Sequence, residues 1–361
     1  MKVVVFGATG VVGRASAEHF GAQPDCDVVA ISRRALDLPG VEHVALDLAD
    51  ADATASVMRS SALAGTTHVV FAALQESPDL AAGWRDPQLI AHNAALFRNA
   101  LEPLAAACAS TLRHVSLLQG AKAYGFHVGR SPVPAKERAV RDEHDNFYFV
   151  QEDQLRELAA GASWSWTVFR PQVVFGESFG SPMNLLPAIG VYAALEREAG
   201  RPLSFPGGAD GVHEAVDARL LARALAWAAE STKAQGEIFN VTNGDVYSWR
   251  DVWPSIAAVF GMAVGAPTTM RLAEVMPPRA GEWAALVARH GLDAPSDLDA
   301  LVGGSWAYAD ILFGASGQGR AVPALLSTVK LRQAGFADCI DTEDMLVGWL
   351  RELQVRRLLP T

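Results

Sequence analysis

The chain has 361 residues, of which 50% are hydrophobic and 19% charged, so it can bury a large core as a soluble globular protein. Its formal net charge of −10 argues against a general nucleic-acid surface, which needs clustered basic residues. Cys26, Cys108 and Cys339 are too few and too scattered for a disulfide framework, and the nine histidines do not group with cysteines or carboxylates at metal-ligand spacing, so a reducing, cytoplasmic setting without a metal site is expected.

Lys2-Val3-Val4-Val5-Phe6 reads as a first strand, followed at once by Gly7-Ala8-Thr9-Gly10-Val11-Val12-Gly13 and then by helix formers. Such a turn suits a dinucleotide. Its glycines allow a tight bend and a close backbone approach to a pyrophosphate, and the helix start offers free N–H groups. Because the chain opens directly on this strand, no cleavable leader is expected, and no uninterrupted apolar stretch reaches membrane-spanning length. The next strand, Asp27–Ile31, ends in Ser32-Arg33-Arg34, where an NAD site would place an acidic residue for the ribose hydroxyls. Two guanidiniums there favour a 2′-phosphate, hence NADP(H). Asp47 and Leu48, after a strand around Val44-Ala45-Leu46, are expected to flank the adenine, and Ala72 closes a strand over Thr67–Ala72 on the cofactor side.

A long helix from about Pro87 to Ala109 contains Asn93, and Arg113–Leu118 is another strand, running into Gln119-Gly120-Ala121-Lys122-Ala123-Tyr124-Gly125. Ligands in open α/β sheets sit beyond the carboxyl ends of strands, which places Lys122 where cofactor and substrate would meet. Residues 126–145 read as a loop broken by Pro132 and Pro134. A helix over about Phe149–Ala160 follows, with Tyr148 at its start, and then the strand Trp164–Phe169. Beyond Gly176 the pattern is more helical, with helices near Leu185–Ala199 and Val216–Glu230, and a turn at Phe205-Pro206-Gly207-Gly208 between them. A late strand spans Glu237–Gly244, and the tail carries the apolar stripe Met345-Val347-Trp349-Leu350-Leu353, which reads as core. The alternation of strand and helix predicts an α/β fold: a Rossmann-type, doubly wound parallel sheet with a smaller, mostly helical C-terminal substrate lobe. Expected boundaries are 1–176 for the NADP-binding domain, with a returning segment about 203–243, and 177–202 with 244–361 for the lobe.

Tyr148 is followed four residues on by Glu152, where an ordinary short-chain reductase carries lysine, and the available replacement, Lys122, lies upstream. Lysine otherwise occurs only at Lys2, Lys136, Lys233 and Lys330. A hydride delivered to the β-carbon of an enone pushes negative charge onto the carbonyl oxygen. Tyr148 is the candidate donor to that oxygen, and a nearby Lys122 ammonium would strengthen it. Tyr124, on the same loop, is the rival donor, Ser116 reads as structural, and His127 alone among the histidines lies near this chemistry. Trp84, Phe126, Met183, Trp306, Tyr308 and Phe313 are candidate walls for an apolar substrate.

The glycine turn, Ser32-Arg33-Arg34, Asn93–Asn99, Lys122 within Gly120-Ala121-Lys122, Asn146-Phe147-Tyr148, Glu152-Asp153, Arg170-Pro171 and Asn243–Val246 together resemble the extended short-chain dehydrogenase/reductase superfamily, and within it the progesterone 5β-reductase and iridoid synthase family. That resemblance covers most of the chain. It implies an NADPH-dependent ene-reductase of enones or enals, with the catalytic pair falling on Tyr148 and Lys122. Two departures, Phe149 in place of a second aromatic hydroxyl and Ala121 and Ala123 in place of larger polar residues, argue against steroid or iridoid substrates. A small apolar carbonyl compound is the expected partner, with no nucleic acid and no membrane, and a homodimer stays open as the assembly. The alternatives are a carbonyl reductase, a nucleotide-sugar epimerase-like enzyme, from which the absent Tyr-x-x-x-Lys spacing detracts, and a non-catalytic NADP(H) sensor.

Overall fold

Seven runs rich in Val, Ile, Phe and Leu pair in parallel into one sheet: Lys2–Phe6, Asp27–Ser32, Val41–Ala45, His68–Phe71, His114–Leu118, Ser165–Pro171 and Glu237–Val241. The structure is a computed structural model and describes residues 1–77, 83–129, 132–141, 143–208, 211–315 and 323–361. Counted along the chain, the strands lie in the order 7-6-5-4-1-2-3. Val3, Val4, Val5 and Phe6 in the central strand are all 0% exposed, the continuous apolar run expected of a parallel strand covered on both faces. Strand order reverses between the first and fourth strands, so a crevice is expected outside their carboxyl ends, where Gly7 and Ala72 follow.

The predicted Rossmann-type fold is borne out, and most elements fall within two residues of their expected ends. One difference matters for the chemistry. The helix expected from Phe149 runs Phe147–Ala159, because the Asn146 side chain accepts from the Tyr148 backbone N–H at 3.0 Å and caps it. Tyr148 therefore lies inside the first turn rather than ahead of it. The third strand also starts earlier than expected, at Val41, and stops at Ala45.

The chain divides into two compact units: Met1–Val174 with Ala218–Thr242 and Ala324–Asp338, and Phe175–Asp217 with Asn243–Pro323 and Cys339–Thr361. The returning segment is thus shorter than the expected 203–243, since residues 203–217 belong to the second unit. In the other direction, 324–338 joins the first unit, because Ala135 N–H donates to the Leu325 carbonyl and Ser327 N–H to the Ala135 carbonyl. In the first unit Phe6 and Phe71, paired on neighbouring strands, have ring centroids 5.7 Å apart, and Phe97 from the helix Pro87–Ala107 packs edge-on to Phe71 at 4.9 Å. In the second, Leu185–Glu198 is buried along nearly its whole length, and Thr342–Val355 buries Met345, Leu346, Trp349, Leu350 and Leu353, while Val347 is half-buried. No helix among the described residues is long and apolar enough to cross a membrane.

Candidate active site

The glycine turn packs closely on the protein's own backbone, which only glycine allows. Gly7 has φ +78°, and a Cβ there would sit 2.7 Å from the Ala72 carbonyl and the Ala73 Cα; a Cβ at Gly13 would run into the backbone of Gly7 and Ala8. The helix Val11–Gly21 starts at Gly10 with no side-chain cap and no acidic residue in its first turn, so its terminal N–H groups keep their capacity for an anion. These residues fit a pyrophosphate. Thr9, Val11 and Val12 belong to the same turn and helix start. Arg33 and Arg34 are exposed just beyond the second strand, and Ser32 fixes their backbone, donating to the Arg34 carbonyl at 2.8 Å while lying 3.0 Å from His43 Nε2. Asp47 is exposed and accepts from its own turn at Ala49 N, whereas Leu48 is buried and held through its carbonyl by Asn99 Nδ2 at 2.9 Å.

Tyr148 and Lys122, from separate segments, meet on one side chain. Trp84 is 1% exposed; the Tyr148 ring packs edge-on to it at 5.0 Å, and Lys122 Nζ lies 3.7 Å from its centroid. The Tyr148 hydroxyl lies over Gly120, where a Cβ would come within 3.1 Å of it. The crowding at 120 thus comes from the phenol and not from the backbone. Gly120→Ala should push the hydroxyl aside by a few tenths of an ångström and lower turnover by about tenfold while coenzyme affinity, read by fluorescence titration, stays unchanged. Burial pulls the Lys122 ammonium down to about 8, against the opposing pull of the Glu76 carboxylate.

Lys122 sits on a short turn, Ala121–Tyr124, after the fifth strand, and Asn146 ties that turn to the Tyr148 helix by donating to the Lys122 carbonyl at 3.2 Å. A second tie runs through buried polar groups. Gln119 Nε2 donates to the Tyr148 carbonyl at 2.8 Å, Arg170 Nε donates to Gln119 Oε1 at 2.9 Å, and Arg170 also bonds Glu152 at 3.1 Å. Glu152 additionally receives Arg141 and Arg156 at 2.9 and 3.0 Å. The residue standing where an ordinary reductase has lysine is thus the anion of a three-arginine cluster.

Tyr124, the rival donor, already gives its hydroxyl proton to Asn240 Oδ1 at 2.6 Å and lies under the Arg170 guanidinium. Phe126 packs beside it at 6.3 Å. Ser116 is buried within the fifth strand. His127 lies 5.7 Å from Trp84; burial first, and the neighbouring His144, Lys122 and Arg85 after it, hold it at about 4, and neither ring nitrogen has a hydrogen-bond partner among the described residues. Met183, Trp306, Tyr308 and Phe313 belong to the second unit, where Phe313 is 2% exposed and packs on Trp249, Trp253 and Phe205 as core. Sequence reasoning missed Glu76 and Gln119. Neither carries a spacing signal, and Glu76 is simply a carboxylate in the loop after the fourth strand.

Among the described residues no group of His, Cys, Asp or Glu could hold a metal. Residues 41–311 match the family model of the PRISE-like Rossmann-fold domain. Over 99% of its length the chain is 29% identical to (S)-8-oxocitronellyl enol synthase of Nepeta racemosa, covering 92% of that protein, and 28% identical to 3-oxo-Δ(4,5)-steroid 5β-reductase of Arabidopsis thaliana, again covering 92%. The fold is similar to that of the Bordetella bronchiseptica enzyme WbmG, solved with NAD and UDP, with a TM-score of 0.64, 17% identity, and coverage of 99% of this chain and 96% of that one.

Proposed function

The chain belongs to the family of PRISE-like Rossmann-fold domains, and on that premise we propose that it is an NADPH-dependent reductase of activated carbon–carbon double bonds, acting on a small apolar enone or enal. The observation that carries this reading is the meeting of the Tyr148 phenol and the Lys122 ammonium on Trp84, beside Gly120 at the carboxyl end of the fifth strand. Two relatives whose names describe an enol synthase and a reductase of a 3-oxo-Δ(4,5)-steroid, itself an enone, support the choice of double bond.

A nicotinamide coenzyme, when bound, supplies the hydride. The protein's part is to receive the charge that follows it. As the β-carbon of the enone gains a hydride, its carbonyl oxygen becomes an enolate oxygen, and the Tyr148 hydroxyl donates a hydrogen bond to it. Because Tyr148 is 5% exposed and clamped by Trp84 and Phe147, the donor is positioned before charge develops. Lys122 supplies positive charge on the same side, and its half-buried setting keeps that charge from being screened by water.

Purified protein mixed with NADPH and a panel of enones, enals, ketones and aldehydes should oxidise the coenzyme with the conjugated substrates and yield saturated carbonyl products by mass. Alcohol products would replace this reading by direct carbonyl reduction, and tight coenzyme binding without turnover would replace it by a sensor role. The two exposed arginines carry the coenzyme preference. Arg33→Ala/Arg34→Ala should weaken NADPH by about 10–100-fold, the worth of two charge-assisted phosphate contacts, and leave NADH affinity nearly unchanged. Equal losses for the two coenzymes in a calorimetric titration would remove the 2′-phosphate from the role of these side chains.

A further inference from the structure

We propose that Trp84 is a positioning residue of this site: its indole face seats the Lys122 ammonium, and its Nε1–H is anchored on the buried carboxylate of Glu76. The proposal rests on the reading of Lys122 as the partner of Tyr148, but not on which bond is reduced.

An ordinary short-chain reductase needs no such device, because its lysine sits one helical turn from the tyrosine and the helix sets their separation. Here the lysine comes from a different segment, and a four-carbon side chain on a short turn has no helix to orient it. The ring of Trp84 replaces that constraint. Nζ lies 3.7 Å from the ring centroid, well inside the range of a cation–π contact, and tryptophan is the strongest of the aromatic acceptors. The ring itself is held on several sides. Phe147 packs on it at 4.7 Å, Tyr148 at 5.0 Å and His127 at 5.7 Å, and its Nε1–H donates to Glu76 Oε2 at 2.9 Å. Tyrosine and ammonium are thus referenced to the same rigid plane.

Glu76 completes the arrangement at the Nε1 edge of the indole. Its Oε1 is buried with no hydrogen-bond partner among the described residues, a costly state for a carboxylate unless its charge is used. Burial raises its own proton affinity and Lys122 lowers it, so the two groups share a field across the ring. The charged and titratable groups facing Lys122 are Glu76 from the loop after the fourth strand, His127 from the next short turn, with His144 and Arg85 beyond it, and Tyr148 from the helix. Burial opposes positive charge at the lysine; Glu76 and the indole face support it.

The test reads the lysine directly. Full-length protein labelled with ¹³C at lysine Cε contains five lysines, and the Lys122 signal is identified by its loss in Lys122→Met. The wild-type signal should titrate at about 8. Glu76→Gln removes the supporting anion and Trp84→Leu the supporting ring face, so each should shift the titration about one pH unit or more downward, a tenfold loss of protonated lysine at a fixed alkaline pH. Trp84→Phe keeps a ring but loses the anchor to Glu76; it should fold and show a smaller shift in the same direction. In the active enzyme the alkaline limb of kcat should move with the titration while the KM for NADPH does not. Lys122 titrating at the wild-type pH in Trp84→Phe and Glu76→Gln would overturn the proposal. Since this measurement needs no turnover, an inactive protein with a shifted lysine would sink the reductase reading and leave this one standing, and an active protein with an unshifted lysine would do the reverse.

Discussion

Tyr148→Phe should lower kcat for a conjugated substrate by about 10²–10³ and leave NADPH affinity unchanged. The substitution removes one oxygen and nothing else. The ring keeps its edge-on contact with Trp84 and its packing on Phe147, and the helix cap at Asn146 depends on the backbone N–H of residue 148, which phenylalanine retains. What disappears is the donor that the reading assigns to the enolate oxygen, so the loss should fall on the chemical step rather than on binding. Single-turnover mixing of enzyme, NADPH and substrate separates the two. Tyr124→Phe serves as the internal control: its hydroxyl is committed to Asn240, so the change should lower stability by about 1 kcal/mol and leave the chemical step alone. A Tyr148→Phe enzyme that turns over at the wild-type rate would remove this phenol from the mechanism.

The sheet was legible because parallel strands buried on both faces leave unbroken apolar runs: Lys2–Phe6 and Asp27–Ile31 announce themselves, and the glycine turn between strand and helix is a local backbone requirement written in local residues. The pairing of Tyr148 with Lys122 was suggested by residue type and order, but not the surface on which they meet. Trp84 was readable as a candidate substrate wall, not as the 1%-exposed seat of Lys122, and Glu76 only as a loop carboxylate, because contact between a loop after the fourth strand and a turn after the fifth is set by tertiary packing and has no sequence period. The same holds for residues 324–338, which return to the first unit through backbone hydrogen bonds at Ala135 that no side-chain pattern encodes. The start of the Tyr148 helix differs for a smaller reason: Asn146 is a good cap, and it captured two residues that the hydrophobic pattern alone would leave outside.

Glu152 is where this chain departs most from an ordinary reductase, and its removal should be costly in a way that identifies its role. Its side chain is 3% exposed and that of Arg170 is 5% exposed, while Arg141 and Arg156 are 35% and 48% exposed. The partly exposed pairs contribute little, since solvent screens them. Glu152→Ala, however, strands the Arg170 guanidinium in the interior with its charge uncompensated and only neutral partners such as Gln119 beside it, and breaking a buried pair from one side costs about 3–5 kcal/mol. Urea unfolding should show that loss, and turnover should fall with it because Gln119 also holds the Tyr148 carbonyl. The pH dependence gives a sharper reading. Burial alone would raise the Glu152 carboxyl above its ordinary value of 4.5, but Arg141, Arg170 and Arg156 together outweigh burial and hold it below that value. A carboxyl depressed in the folded state contributes stability that is complete above its unfolded pKa and disappears as the pH falls through the folded one. Wild-type protein should therefore lose stability below about 4.5 more steeply than Glu152→Gln, whose amide does not titrate there. Parallel acid-unfolding curves for the two would contradict the cluster. Glu152→Lys, which restores the spacing of an ordinary reductase, should be the least stable of all, since it sets a fourth cation among the three guanidiniums that now pair with Glu152.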